Sequence, residues 1–222
     1  MNSSNDSLAM QRITRLVDEN SSLVTARSTD FNLAATDTPS DGVITGHGLI
    51  DGNLVFIYSQ DASVLNGTIG EMHAKKIAAV YDMAMKMGAP VIGFIDCAGV
   101  RLQESVDALD GFGLIYAKEV AASGVVPQIS DVFGSCGGGL AVVPALSDFA
   151  FIEESKGKMF VNSPETASRS ATHHLRHSRQ MRTAASTRRE QRMRSLQTSV
   201  SWSACFRSTT REMSTQTSVR MT

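Results

Sequence analysis

No run of eighteen or more apolar residues occurs in the 222-residue chain, so no transmembrane helix is expected. The first residues, MNSSNDSLAMQRITRLVDENSS, lack a basic stretch followed by an apolar one, which argues against a secretory signal. Cysteine is sparse. Cys97, Cys136 and Cys205 are too far apart to suggest a zinc site or a disulfide framework, so no metal is expected and a reducing cytoplasm is the expected setting. The phosphate-binding spacing GxxxxGK[ST] is missing, as is GxGxxG after a strand, which argues against a nucleotide site. No Ser/His/Asp or Cys/His set is evident. Glu71 and His73 stand two residues apart and so do not share a helix face.

Other absences divide the chain. Residues 168–222 contain no Gly, Pro, Asp, Asn or Lys, and 20 of these 55 residues are Ser or Thr. They carry 11 Arg against Glu190 and Glu212, whereas residues 1–167 carry 10 Lys and Arg against 20 Asp and Glu. The apolar residues of 168–222 show no sustained period, so a disordered basic tail is expected there. One reading is an arm for nucleic acid, but aromatic interleaving is nearly absent, and no nucleic-acid partner is expected. A frameshift explains more. Read one frame over, with permitted codon choices, SVSWSACFRSTTREMSTQTSVRMT can encode an acidic stretch, and the nucleotide sequence decides the matter. Such a shift would remove the last elements of the preceding domain and leave apolar surface bare, with poor solubility.

What is present is regular. Residues 1–28 are polar with one short amphipathic helix expected around Ile13, Leu16 and Val17, and a domain is expected over 29–167. Gly42–Ile50 and Asn53–Ser59 alternate apolar and polar residues around Asp51-Gly52, a hairpin signal. Residues 70–87 place Ile77, Val80, Tyr81 and Ala84 at helical spacing before Gly88. Strands are then expected at 91–95, 125–133, 148–153 and 159–161, and helices at 107–123 and 137–147. This alternation predicts an α/β domain with a buried, largely parallel sheet. Ala84-Met85-Lys86-Met87 spells the motif that biotin ligases modify. The last turn of a helix, where a cation is favourable, is the wrong setting for it.

Two strand ends carry small-residue turns, Asp96-Cys97-Ala98-Gly99-Val100-Arg101 and Gly134-Ser135-Cys136-Gly137-Gly138-Gly139. Small residues let a ligand approach the backbone, and the first N–H groups of a helix lack internal partners. Such turns favour an anion or a developing oxyanion; the bland alternative is that the glycines only permit tight packing. Arg101 suits a phosphate or carboxylate, or equally a structural ion pair. Cys97 and Cys136 have no base to make a thiolate.

The stretch GEMHAKKI…KMGAPVIGFIDCAGVRLQESVDAL…SGVVPQISDVFGSCGGGLAVVPALSDFAFI resembles the N-terminal domain of the biotin-dependent acyl-CoA carboxyltransferases, over about residues 12–165. The resemblance implies a ClpP/crotonase-like fold of repeated ββα units. It implies backbone oxyanion donors, carried onto Ala98 and Gly99 in the first turn and onto Gly137 and Gly138 in the second. Arg101, Gly139 and Gly70 are the expected substrate contacts. An acyl-CoA is the implied substrate and biotin the implied cofactor, borne by a separate carrier protein. A homologous C-terminal half is the implied partner, and an oligomer is expected. The family's first turn commonly reads DSGGAR, and here it reads DCAGVR. Two alternatives stay open: a crotonase-type hydratase or thioesterase, and a non-catalytic truncated subunit.

Overall fold

The structure, a computed structural model, describes residues 7–18, 23–26 and 39–162. It divides the chain into two units, Met1–Ser163 and Pro164–Thr222; the second, which holds the expected disordered tail, lies outside the described residues.

The first unit runs α1 (Leu8–Leu16), β1 (Leu23–Ala26), β2 (Val43–Ile50), β3 (Asn53–Gln60), α2 (Glu71–Met87), β4 (Val91–Cys97), α3 (Val106–Ala122), β5 (Gln128–Gly137), α4 (Val142–Leu146), β6 (Phe149–Ile152) and β7 (Lys158–Phe160). One sheet takes all seven strands, in the order β1-β2-β3-β4-β5-β6, with β7 on the far end of β5. β1, β2 and β3 are antiparallel, and every pairing from β3 onward is parallel. The expected hairpin forms. Asp51 and Gly52 take φ of 50° and 76°, and the Asp18 carboxylate accepts both of their amides.

Alternation along the strands sorts the side chains. Phe56, Tyr58, Val91, Ile95, Cys97, Val132 and Cys136 face the helices and join Ile77, Val80, Tyr81, Phe112 and Ile115 in one core. Full burial of such aliphatic and aromatic side chains is worth about 1.5–3 kcal/mol each, enough to fix the register. Tyr58 fits because Gly93 opposite it is bare; a Cβ there would lie 2.2 Å from the phenol oxygen. On the other face Ile57, Ile92 and Phe94 are buried, and α1 adds Ala9 and Ile13. Helix α1 starts on Ser7, whose hydroxyl accepts the Met10 amide at 3.4 Å.

Differences from the sequence reading have local causes. β5 begins at Gln128 rather than 125, because the Val125 and Val126 amides turn back to the Ala122 carbonyl that ends α3. It also runs on to Gly137, because β7 pairs with Ser135–Gly137. The expected helix over 137–147 is instead a 3-10 turn, Gly138–Ala141, followed by the short α4. β1 was not foreseen. Lys86 lies exposed in the last turn of α2. Among the described residues, no helix is long and apolar enough to cross a membrane.

Candidate functional site

The two small-residue turns leave neighbouring strands side by side. Cys97 and Cys136 are register partners of β4 and β5. Beyond them, the Gly137 carbonyl oxygen lies 3.8 Å from where a Cβ on Gly99 would stand. Gly99 takes φ of 122° and Gly138 φ of 64°, values that side chains rarely adopt.

A frame of unusual backbone holds the first turn. Leu65, Asn66 and Gly67 take φ of 45°, 54° and 65° in succession. This brings the Asn66 carbonyl to the Ala98 amide at 3.0 Å. Ile69 then bridges the turn, donating to the Gly99 carbonyl at 2.9 Å and accepting from the Arg101 amide at 2.9 Å. Ser40 and Asp41 form a second left-handed run, with Lys76 Nζ on the Ser40 carbonyl at 2.6 Å. Backbone strain of this kind costs about 1–3 kcal/mol per residue and gathers at working sites.

These bonds change the expected donor set. The Ala98 amide is taken by Asn66 and does not point to a ligand. The Gly99 amide donates to the Cys97 sulfur at 3.2 Å, a weak acceptor. Val100, which the sequence reading passed over, has an amide with no hydrogen bond among the described residues. In the second turn Gly137 lies under the Phe160 ring, and Gly138 opens the 3-10 turn. Gly139 is exposed, and its carbonyl accepts the Tyr116 hydroxyl at 2.6 Å.

Arg101 and Gly70 stand behind the turn. Arg101 is 1% exposed; it donates to the Asp41 carboxylate, to Glu104 Oε1 at 2.8 Å and to the Thr68 carbonyl at 2.8 Å. This is the structural ion pair, not a free cation for substrate. A buried pair of this kind is costly to break on one side, about 3–5 kcal/mol. Gly70 is bare because Glu104 occupies the space of a Cβ, its carboxylate 2.3 Å away, and Glu104 Oε2 accepts the Glu71 amide at 2.6 Å. The start of α2 is therefore already neutralised by Glu104.

The thiols and the imidazole near the turns are neutral. Burial pushes both the Cys97 and Cys136 thiols up to about 12, so neither is a nucleophile. His73 is buried and held down to about 3 by desolvation, outweighing the bond to the Asp41 carbonyl and reinforced by the nearby Arg101 and Lys76 charges.

Comparison with known proteins places the chain in a family. The profile of the carboxyl transferase domain matches residues 2–186. Propionyl-CoA carboxylase beta chain of Roseobacter denitrificans is 46% identical over 162 residues, covering 71% of this chain and 32% of the relative. Methylmalonyl-CoA decarboxylase subunit alpha of Propionigenium modestum is 46% identical over 162 residues, covering 71% of this chain and 31% of the relative. The transcarboxylase 12S crystal structure with methylmalonyl-coenzyme A and methylmalonic acid bound superposes with a TM-score of 0.67 at 37% identity, over 72% of this chain and 32% of that one. A malonate decarboxylase hetero-dimer of Pseudomonas, at 24% identity and TM-score 0.61 over 73% of this chain and 68% of that one, shares the fold. The chain spans about a third of the length of the curated relatives named here. Its α/β sheet is the crotonase-like fold expected from the sequence, and the chain belongs to the carboxyl transferase domain family.

Proposed function

We propose that this chain is the CoA-thioester-binding half of a biotin-dependent acyl-CoA carboxyltransferase, and that its two turns hold one thioester oxygen as the enolate forms. The observation that carries the reading is the convergence of the turns: Cys97 beside Cys136, and Gly99 against the Gly137 carbonyl. Gly99 and Val100 on one side, and Gly137 and Gly138 on the other, are the donors. One well-aimed donor of this sort is worth about 3–4 kcal/mol of barrier, so the turns supply the main catalytic term. Biotin, on its separate carrier, supplies or takes up the carboxyl group and exchanges the α-proton. The described residues need no acid or base of their own: the Asp96 carboxylate is occupied by Arg12, and the two thiols stay protonated.

A homologous second half completes the site for the biotin side, and the working enzyme is an oligomer. Relatives named for propionyl-CoA carboxylase and methylmalonyl-CoA decarboxylase support short acyl-CoAs as the substrate class. A reducing cytoplasm suits Cys97 and Cys136, which are free thiols although register partners. Isothermal titration with acetyl-, propionyl- and methylmalonyl-CoA tests the reading. At least one should bind with saturable heat, and no heat from any of the three rejects it.

A further inference from the structure

Asp96, the first residue of the first turn, touches the frame of both turns. Its amide donates to Gln60 Oε1 at 3.1 Å. Gln60 Nε2 lies 3.2 Å from His73 Nε2, and His73 Nδ1 lies 2.9 Å from the Asp41 carbonyl. A carbonyl accepts only, so Nδ1 carries the proton and Nε2 accepts from Gln60. That leaves Gln60 Oε1 as the acceptor for Asp96, and every bond in the chain has one polarity. The Asp96 carbonyl fills the space beside Gly67, 2.2 Å from where a Cβ would stand, and so seats the run that holds Ala98. Its carboxylate does the same for the second turn, with Oδ1 2.0 Å from the missing Cβ of Gly134. Oδ2 accepts Arg12 Nη2 at 2.8 Å. Arg12, from α1, also donates to the Gln60 carbonyl at 3.3 Å and lies over the Phe133 ring, 4.5 Å from its centre.

We infer that Asp96 is a positioning residue that sets the spacing of the two donor turns, with Arg12 of α1 fixing the orientation of its carboxylate. The inference rests on the reading that the turn amides hold a thioester carbonyl. A bond that merely fastened α1 to the sheet would need no contact with Gly67 and Gly134. Here the carbonyl of Asp96 lies against Gly67 and its carboxylate against Gly134, so a tilt of that carboxylate shifts the entry to the second turn while the first turn stays seated. Displacements of about 1 Å cost about a hundredfold where donor geometry matters, and partial loss of aim costs less.

The test uses the full chain with two probes, [1-13C]propionyl-CoA and S-propyl-CoA, the second lacking the carbonyl. Infrared difference spectra report the carbonyl stretch of the bound thioester, and titration reports affinity for each probe. The parent should lower the stretch. Arg12→Met and Asp96→Asn should lose about half of that lowering or more, and about tenfold in the preference for propionyl-CoA over S-propyl-CoA, while Arg12→Lys keeps most of both. Asp96→Asn keeps its shape against Gly134, so it guards against simple misfolding, and circular dichroism checks each variant. If Arg12→Met and Asp96→Asn melt lower yet leave the stretch at the parental position, Asp96 only fastens α1 and the inference is wrong. If the parent binds neither probe, the reading of the site is what fails.

Discussion

Glu119 shows how one side chain sets a condition on the whole domain. It lies on α3, 1% exposed, with Oε1 accepting the Tyr81 hydroxyl at 3.2 Å and Oε2 without a partner among the described residues. Burial raises its pKa to about 8, against a smaller opposing effect of the Tyr81 bond. A carboxyl raised in the folded state binds more protons there than in the unfolded chain, so stability falls as pH rises from its unfolded value to about 8. His73 acts at the other end. Lowered to about 3, it is protonated more readily when unfolded, so stability falls as pH drops below its ordinary value of 6.5. Together the two leave a plateau in the mildly acidic range and a decline on either side. Glu119→Gln should therefore melt above the parent at pH 9, by on the order of 3 kcal/mol, and close to it at pH 5. A constant difference across thermal melts at pH 5, 7 and 9 would show that Glu119 does not titrate as argued.

At the scale of elements, identical backbone angles have unequal consequences. Gly67 and Gly88 both take φ of 65°. Gly88 closes α2 with nothing within 4 Å of a Cβ, whereas Gly67 meets the Asp96 carbonyl at 2.2 Å. Gly88→Ala should cost about 1–2 kcal/mol in urea unfolding, the ordinary penalty of a left-handed alanine. Gly67→Ala should cost about 3 kcal/mol or more, because backbone must move. Equal costs would mean that the 65–67 run yields freely. This contrast also marks what sequence can reveal. Gly88 was legible as a helix stop because the apolar period of Ile77, Val80, Tyr81 and Ala84 ends before it. Gly67 was not, because its demand comes from a strand thirty residues on. The same holds for β5. Its apolar run was plain, but its start at Gln128 depends on the closing bonds of α3, and its end at Gly137 on pairing with β7.

For the molecule as a whole, the sequence revealed the layers and the two turns, since alternation, helical period and glycine clusters are local. It did not reveal which amides are already engaged. Ala98 and Asn66 are joined although α2 and β4 lie between them in the chain, and Arg101 finds Asp41 sixty residues away, so neither commitment leaves a trace in spacing. Gln60, His73 and Arg12 were missed as a set for the same reason; only the fold brings them together in one chain of bonds.

The pairing of Cys97 with Cys136 has a practical corollary: the fold carries its own exposure clock. With Cys205 replaced by serine, an aromatic disulfide reagent should find no thiol until the seam between β4 and β5 parts, and both sulfurs should then react in a single phase whose rate follows denaturant. Two separate phases would reveal that one edge of that seam comes apart while the other is still closed.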